Sequence, residues 1–249
     1  MRFFPIAATA LYIAAVPILL VTSNVRFLLS DEGYYRHGLR QYDAVEATGI
    51  SQDELDMAAA ELIDYFEDDA ESLRVVVHID GEEVSLFNQR ETDHMRDVKS
   101  LVRATYRLNE IALVIVLSYI AAVFIWARER PVRALAKQTL LGVAAGFVAV
   151  AAVGGLALVI GFNEVWNRFH EVVFRNDLWR LDPDTDRLIQ MFPEPFWEAA
   201  TYLIVGLSLL EVAAVVVTSV VYLAVSREKG APTASEPPRA SAHRVRPRP

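Results

Sequence analysis

The sequence predicts an α-helical membrane protein, with four transmembrane helices and a small α+β extracytoplasmic cap between spans 1 and 2. Three observations lead there. The 249-residue chain is 53% hydrophobic with a mean hydropathy of +0.26, too apolar for an ordinary soluble domain. Four apolar stretches are long enough to cross a bilayer core of about 30 Å, which takes ~20 helical residues. Between the first two lies a polar stretch with its own helix and hairpin signals.

Residues 1–27 form the first span, with Phe4–Val25 as its apolar run. That run exceeds a signal-peptide core and no small-x-small site follows it cleanly, so a retained anchor is expected. Residues 28–109 are the cap. "SQDELDMAAAELIDYFEDD" opens with Ser51 and Glu54 in capping-box spacing and places Leu55, Leu62, Ile63 and Phe66 on one helical face. "LRVVVHIDGEEVSLF" reads as two strands turning at Asp80-Gly81. From Thr92 a helix runs directly into the second span, 110–127. A short loop, 128–138, leads to the third span, 139–162, where Gly142 and Gly146 stand in GxxxG spacing ahead of Gly154 and Gly155. Such small residues favour close helix packing in lipid. Residues 163–198 connect to the fourth span, 199–225. The tail, 226–249, is rich in Ala, Pro, Ser and Arg without periodicity and reads as disordered.

Lys and Arg in short loops set orientation. The 128–138 loop carries Arg128, Arg130, Arg133 and Lys137, and the tail carries Arg227, Lys229, Arg239, Arg244, Arg246 and Arg248. Both then face the cytoplasm, both termini are inside, and the cap and the 163–198 loop face outward. Arg96, Lys99, Arg103 and Arg107 run against this, yet no other arrangement makes all four spans agree. The net charge of -8 has its one uncompensated basic concentration in the tail, so nucleic acid is not an expected partner. The absence of cysteine excludes disulfides, thiolate metal sites and an acyl-cysteine enzyme intermediate.

Two of the five histidines stand out. His94 precedes the second span and His170 follows the third, each within a turn or two of the outer membrane boundary. Brought together, they supply a base and an acid near neutral pH; taken singly, each is a plain interfacial side chain. Asp97, one turn after His94, is placed to orient that imidazole. Arg96, Lys99 and Arg103 form a basic stripe, either an interfacial anchor or a clamp for a lipid headgroup or a chain carboxylate. Phe169, Phe174, Trp179, Phe192, Phe196 and Trp197 read as an aromatic girdle. Asp182, Asp184 and Asp186 share that loop with Asn176, but the spacing is not that of a metal site, and neither metal nor cofactor is expected. Glu211 lies within the fourth span, either as a hydrogen-bonded structural group or in a lipid pocket.

"TGI" (Thr48–Ile50), "LIDYF" (Leu62–Phe66), "SLFNQRETDHMRDVKSLV" (Ser85–Val102) and "FHEVVFRNDLWRLDPDTDRLIQMFPEPFW" (Phe169–Trp197) together resemble one bacterial integral membrane family, that of the lipoprotein intramolecular transacylase Lit. The resemblance covers nearly everything before the tail. It implies a multi-pass acyltransferase of the bacterial cytoplasmic membrane, with diacylated lipoproteins and membrane lipids as partners. Such an enzyme moves an O-acyl chain of a diacylglyceryl cysteine onto that cysteine's own α-amino group and leaves a lyso-form lipoprotein. It implies His94 and His170 as the catalytic pair. An α-amine with pKa about 7.7–8 must lose a proton to attack an ester, which an imidazole accepts. Asn176, the Trp179 indole or a backbone N–H would stabilise the oxyanion, with Asp97 and Asp182 in support and Arg96, Lys99 and Arg103 holding substrate or headgroup. Which histidine is base, and whether an acyl-imidazole forms, stays open at this level. The alternative is a non-catalytic sensor or assembly partner that binds through the cap, whose acidic face comprises Asp53, Glu54, Glu61, Asp64, Glu67 and Asp68.

Overall fold

The computed structural model describes residues 3–79, 81–126 and 131–228. Among these, four helices are long and apolar enough to cross a membrane: α1 (Phe3–Leu29), α5 (Gln89–Trp126), α6 (Pro131–Ile160) and α9 (Glu194–Glu228). Hydrocarbon side chains cover their outward faces, Leu158 and Val159 being 77% and 83% exposed, as a lipid-facing surface requires. α1 packs against the other three.

Gly142 and Gly146 face α1. A Cβ on Gly142 would lie 2.7 Å from the Ile13 carbonyl oxygen, and one on Gly146 would strike Pro17. This pair permits the close helix approach its spacing predicts, whereas Gly154 and Gly155 have nothing within 4 Å. Polar knots close the bundle elsewhere. Asn109 Nδ2 donates to Thr22 Oγ1 (3.1 Å) and Ser23 Oγ (2.9 Å). Asn24 Nδ2 donates to Ser208 Oγ (3.1 Å) and Glu211 Oε2 (3.0 Å), which gives Glu211 the hydrogen-bonded role.

The cap is more helical than the sequence suggested. α2 (Glu32–Gln41) starts at Asp31, whose carboxylate accepts from Gly33 N and Tyr34 N, and α3 (Ala44–Thr48) follows. α4 (Gln52–Glu67) begins at Ser51, whose hydroxyl accepts from Glu54 N at 3.4 Å, and Leu55, Leu62, Ile63 and Phe66 are buried along it. β1 (Val76–Ile79) and β2 (Glu82–Ser85) pair antiparallel with Ile79 opposite Glu82, so the connection is the expected two residues. Gly81 adopts φ +84, a conformation that suits glycine, while Asp80 lies outside the described residues. α5 begins at Gln89 rather than Thr92 and runs unbroken for 38 residues, roughly 57 Å at helical rise. It therefore belongs to the cap and to the bundle at once.

Two expected loops contain helix. Residues 131–138 belong to α6, while residues 127–130 and the tail from 229 lie outside the described residues. The connection 163–198 contains α7 (Phe162–Val173), set off from α6 by Gly161 at φ +90, and a short α8 (Arg187–Met191). This connection completes the cap's core. Met191, Phe192 and Phe196 are buried with Tyr35, Leu39, Leu62 and Phe66 of the cap and with Met95 and Val102 of α5. Gly38 makes room for the Phe196 ring, which a Cβ would strike. Tyr34 and Tyr42 donate their hydroxyls to the Phe196 and Pro195 carbonyls, each at 3.0 Å. Cap and connection are thus one packed unit, and the site lies inside it.

Candidate active site

α5 carries His94 in its second turn, and α7 carries His170 near its C-terminal end. Their ring centroids are 6.2 Å apart with the planes tilted 37°, and the residues are only 6% and 7% exposed. Aromatic groups enclose them: Trp166 and Trp179 stand 4.5 and 5.0 Å from His170, and Phe174 meets His94 edge-on at 5.2 Å.

The two imidazoles are held differently. His170 Nδ1 lies 2.8 Å from the Trp166 carbonyl oxygen, one turn back on α7. A carbonyl can only accept, so Nδ1 carries the proton and Nε2 keeps a free lone pair. His94 Nδ1 is buried without a hydrogen-bond partner among the described residues. Burial pushes the His94 pKa down to about 4; the neighbouring His170 and Arg90 add to that shift, and Asp97 opposes it. Burial also lowers the His170 pKa, against the pull of its hydrogen bond to Trp166. Near pH 7 both rings are therefore neutral.

Beside them is a chamber of about 700 Å³, of the size that takes a hydrocarbon ligand. It extends from Leu62 and Phe66 of the cap to Thr201 and Ile204 of α9, and His170, Phe174 and Trp179 form part of its wall. His94 is not in the wall but packs on Phe174, which is. A polar recess of about 340 Å³ adjoins it, bounded by Glu164, Arg168 and Glu171, and shares Asn167, Trp179 and Arg180 with the chamber.

Several expected roles are revised. Asp97 does not bond His94; its carboxylate accepts from Asn176 Nδ2 at 2.8 Å, while Asn176 Oδ1 accepts from Leu178 N. That pair fixes the chain after α7 to α5, because a short Asn reaches α5 where the buried imidazole does not reach back. Asp182 is exposed and shapes a turn, accepting from Asp184 N at 3.0 Å. Asp186 accepts from Asp182 N and from Asn88 Nδ2. The basic stripe turns into the cap instead of out to headgroups. Lys99, 6% exposed, donates to Asp68 Oδ1 and the Ala70 carbonyl at 2.7 Å each, over the Tyr65 ring at 3.9 Å. Arg96 donates to the Glu71 carbonyl, and Arg103 to the carbonyls of Phe66, Glu67 and Asp68. Open carbonyls at the end of α4 attract these cations. Phe174, Phe192 and Phe196 are buried, so those members of the girdle form core and chamber wall rather than a lipid-facing belt.

The sequence reading passed over Trp166, which lies one turn before His170, and Glu91, one turn before His94. The first was hidden because 163–198 read as loop, where a four-residue spacing carries no meaning.

A histidine-bearing chamber that spans the junction of cap and bundle belongs to a multi-pass membrane enzyme that handles an amphiphile. The family model for the lipoprotein intramolecular transacylase Lit matches residues 10–197, and the chain belongs to that family. It is therefore a membrane acyltransferase of lipoproteins. The solved structure of Lit from Bacillus cereus superposes with a TM-score of 0.73 at 16% identity, covering 93% of this chain and 100% of that one. A form of it with one histidine changed to arginine gives 0.71 at 16% identity, covering 92% and 96%; a histidine-to-alanine form gives 0.71 at 16%, covering 91% and 97%. Comparison with curated proteins gives no match.

Proposed function

We propose that His94 and His170 transfer an O-acyl chain of a diacylglyceryl-cysteine lipoprotein to the same cysteine's α-amino group, leaving the lyso-form. The observation that carries this is the pairing itself: two buried neutral imidazoles 6.2 Å apart, one of them in the wall of the chamber.

The acyl chains occupy the chamber and the glycerol and peptide face the polar recess. The free amine attacks the ester carbonyl carbon. Its proton passes to His170 Nε2, the nitrogen left basic by the bond to Trp166. The carbonyl oxygen becomes an oxyanion, which the Trp179 indole N–H stabilises; among the described residues no acceptor takes that N–H. When the intermediate collapses, the ester C–O bond breaks and the pair returns the proton to the glycerol oxygen. Charge on one ring disfavours charge on the other, so the pair shuttles one proton rather than storing two. Donor and acceptor belong to one molecule, so holding them together accounts for much of the rate.

The active site faces outward in this reading. Arg133 and Lys137 lie in the first two turns of α6, at the end of the bundle away from the cap, with Arg128 and Arg130 just before them. By the positive-inside rule that end is cytoplasmic, with both termini, and the cap is extracytoplasmic.

The test is mass spectrometry of a lipoprotein's N-terminal peptide from a host that lacks other N-acylating enzymes. Wild type should yield the N-acylated lyso-form, and His94→Ala and His170→Ala should yield diacylglyceryl peptide with a free amine. Full N-acylation in both folded variants would rule the pair out.

A further inference from the structure

Glu91 is buried to 1% exposure, yet among the described residues its carboxylate bonds neither histidine and it is not in the wall of the chamber. Its two oxygens do different work. Oε2 accepts from Asn88 N at 2.7 Å while Asn88 Oδ1 accepts from Glu91 N at 3.0 Å, a reciprocal capping box that starts α5. A capping box needs only that one oxygen. The other, Oε1, crosses to a segment 97 positions later and accepts from Leu188 N at 2.6 Å. Leu188 is half of a wall pair with Ile189 in the chamber, so the bond joins the helix start that carries His94 to the wall that faces His170.

A carboxylate at this depth is costly unless every lone pair finds a donor. Burial, the largest influence, raises its pKa, while the N–H groups of Leu188 and Asn88 act the other way and stabilise the charged form. Helix capping alone does not call for so buried a charge, because an exposed cap works as well. Holding two chain segments at a fixed distance does call for it.

We propose that Glu91 is a positioning residue for the transfer reaction: its carboxylate clamps the first turn of α5 to α8, and so fixes His94 relative to His170 and the chamber wall. This rests on the histidine-pair reading above. Gln keeps the shape but offers one acceptor oxygen and sets an NH₂ against the second N–H, so one of the two bonds is lost and the clamp loosens by a fraction of an ångström.

The experiment measures steady-state acyl transfer to a synthetic diacylglyceryl-cysteine peptide by Glu91→Gln, Ser51→Ala and His94→Ala, in parallel with thermal unfolding in detergent. Glu91→Gln should lower kcat about 100-fold, the scale of a small misplacement of reacting groups, with KM within about threefold. Ser51→Ala, which removes the cap of α4 and leaves every bond between α5 and α8 in place, should keep kcat within about threefold and lose stability only. Wild-type kcat in folded Glu91→Gln would overturn the proposal, as would a loss fully explained by unfolded protein or matched by Ser51→Ala. If His94→Ala is itself active, the pair reading fails instead, so the two failures are distinguishable.

Discussion

The first half of α5 carries two faces that treat charge in opposite ways. On one face Arg96, Lys99 and Arg103 reach the end of α4 and the loop behind it, and several of their donors find carbonyl oxygens there. On the other, His94 is buried beside Phe174, with Nδ1 unpartnered among the described residues and its pKa driven down to about 4. The cations are used up in holding the cap. The histidine, left neutral beside a hydrocarbon chamber, keeps its capacity to move a proton. In one helix, an unpartnered buried polar atom points to chemistry more reliably than a row of charges does.

Substitution on the histidine face should give the largest effect. His94→Ala and His170→Ala should each cut kcat by roughly 10²–10⁴-fold, the usual contribution of acid–base catalysis. The double variant should be little worse than either single one, because a relay fails as a unit. Independent, multiplying losses would show that the two rings do not share a proton.

Acidification separates the faces next. His94 has a depressed folded pKa, so its contribution to stability is complete above the ordinary value of 6.5 and is lost as pH falls toward about 4. The unfolded chain takes up the proton first, which costs the fold about 3 kcal/mol across that window. His170 acts in the same direction. Nuclear magnetic resonance titration should place both imidazoles below 6.5, His94 the lower. A ring that titrates at or above 6.5 would contradict the buried neutral pair.

Lys99→Met tests the structural face. It preserves the aliphatic packing but removes the contact over Tyr65 and leaves the Ala70 carbonyl unpaired, together worth about 2 kcal/mol. Thermal scans should show a less stable protein whose folded fraction keeps wild-type kcat. A large kcat loss would return Lys99 to the substrate site that its sequence position first suggested.

How much of this was legible in the sequence follows from which interactions are local. The spans, the α4 face of Leu55, Leu62 and Phe66, the hairpin at Gly81 and the packing of Gly142 and Gly146 depend on periodicity or short spacing, and all were readable. His94 and His170 were readable as candidates because each flanks a span, though only the fold brings their rings together. Asp97 was misassigned because helical spacing says which residues share a face, not that Asn176, 79 positions later, would claim the carboxylate. From spacing alone the basic stripe reads as an interfacial anchor or as a clamp for a headgroup or chain carboxylate, because the open carbonyls at the end of α4 belong to a different segment. Glu91 offered the Asn88–Glu91 capping-box spacing, but nothing local marks its second oxygen as a partner for Leu188.

The smallest predicted effect concerns the chamber wall beside His170. The Trp179 ring lies tilted 5.0 Å from His170 and borders both the chamber and the polar recess. Its counterpart Trp197 donates its indole N–H to the Phe192 carbonyl at 3.0 Å and so serves the core. Trp179→Phe keeps a ring against His170 and removes only the N–H. A bond to the oxyanion is charge-assisted, and at a half-buried, partly solvated wall it is worth about 1.5 kcal/mol, the low end of its range, so kcat should fall roughly tenfold with KM nearly unchanged. Trp197→Phe should leave kcat within about twofold and lower stability, because its lost bond is made in the ground state alone. If Trp179→Phe instead raises KM and spares kcat, the indole binds the acyl chain or glycerol, and the oxyanion must find a backbone N–H.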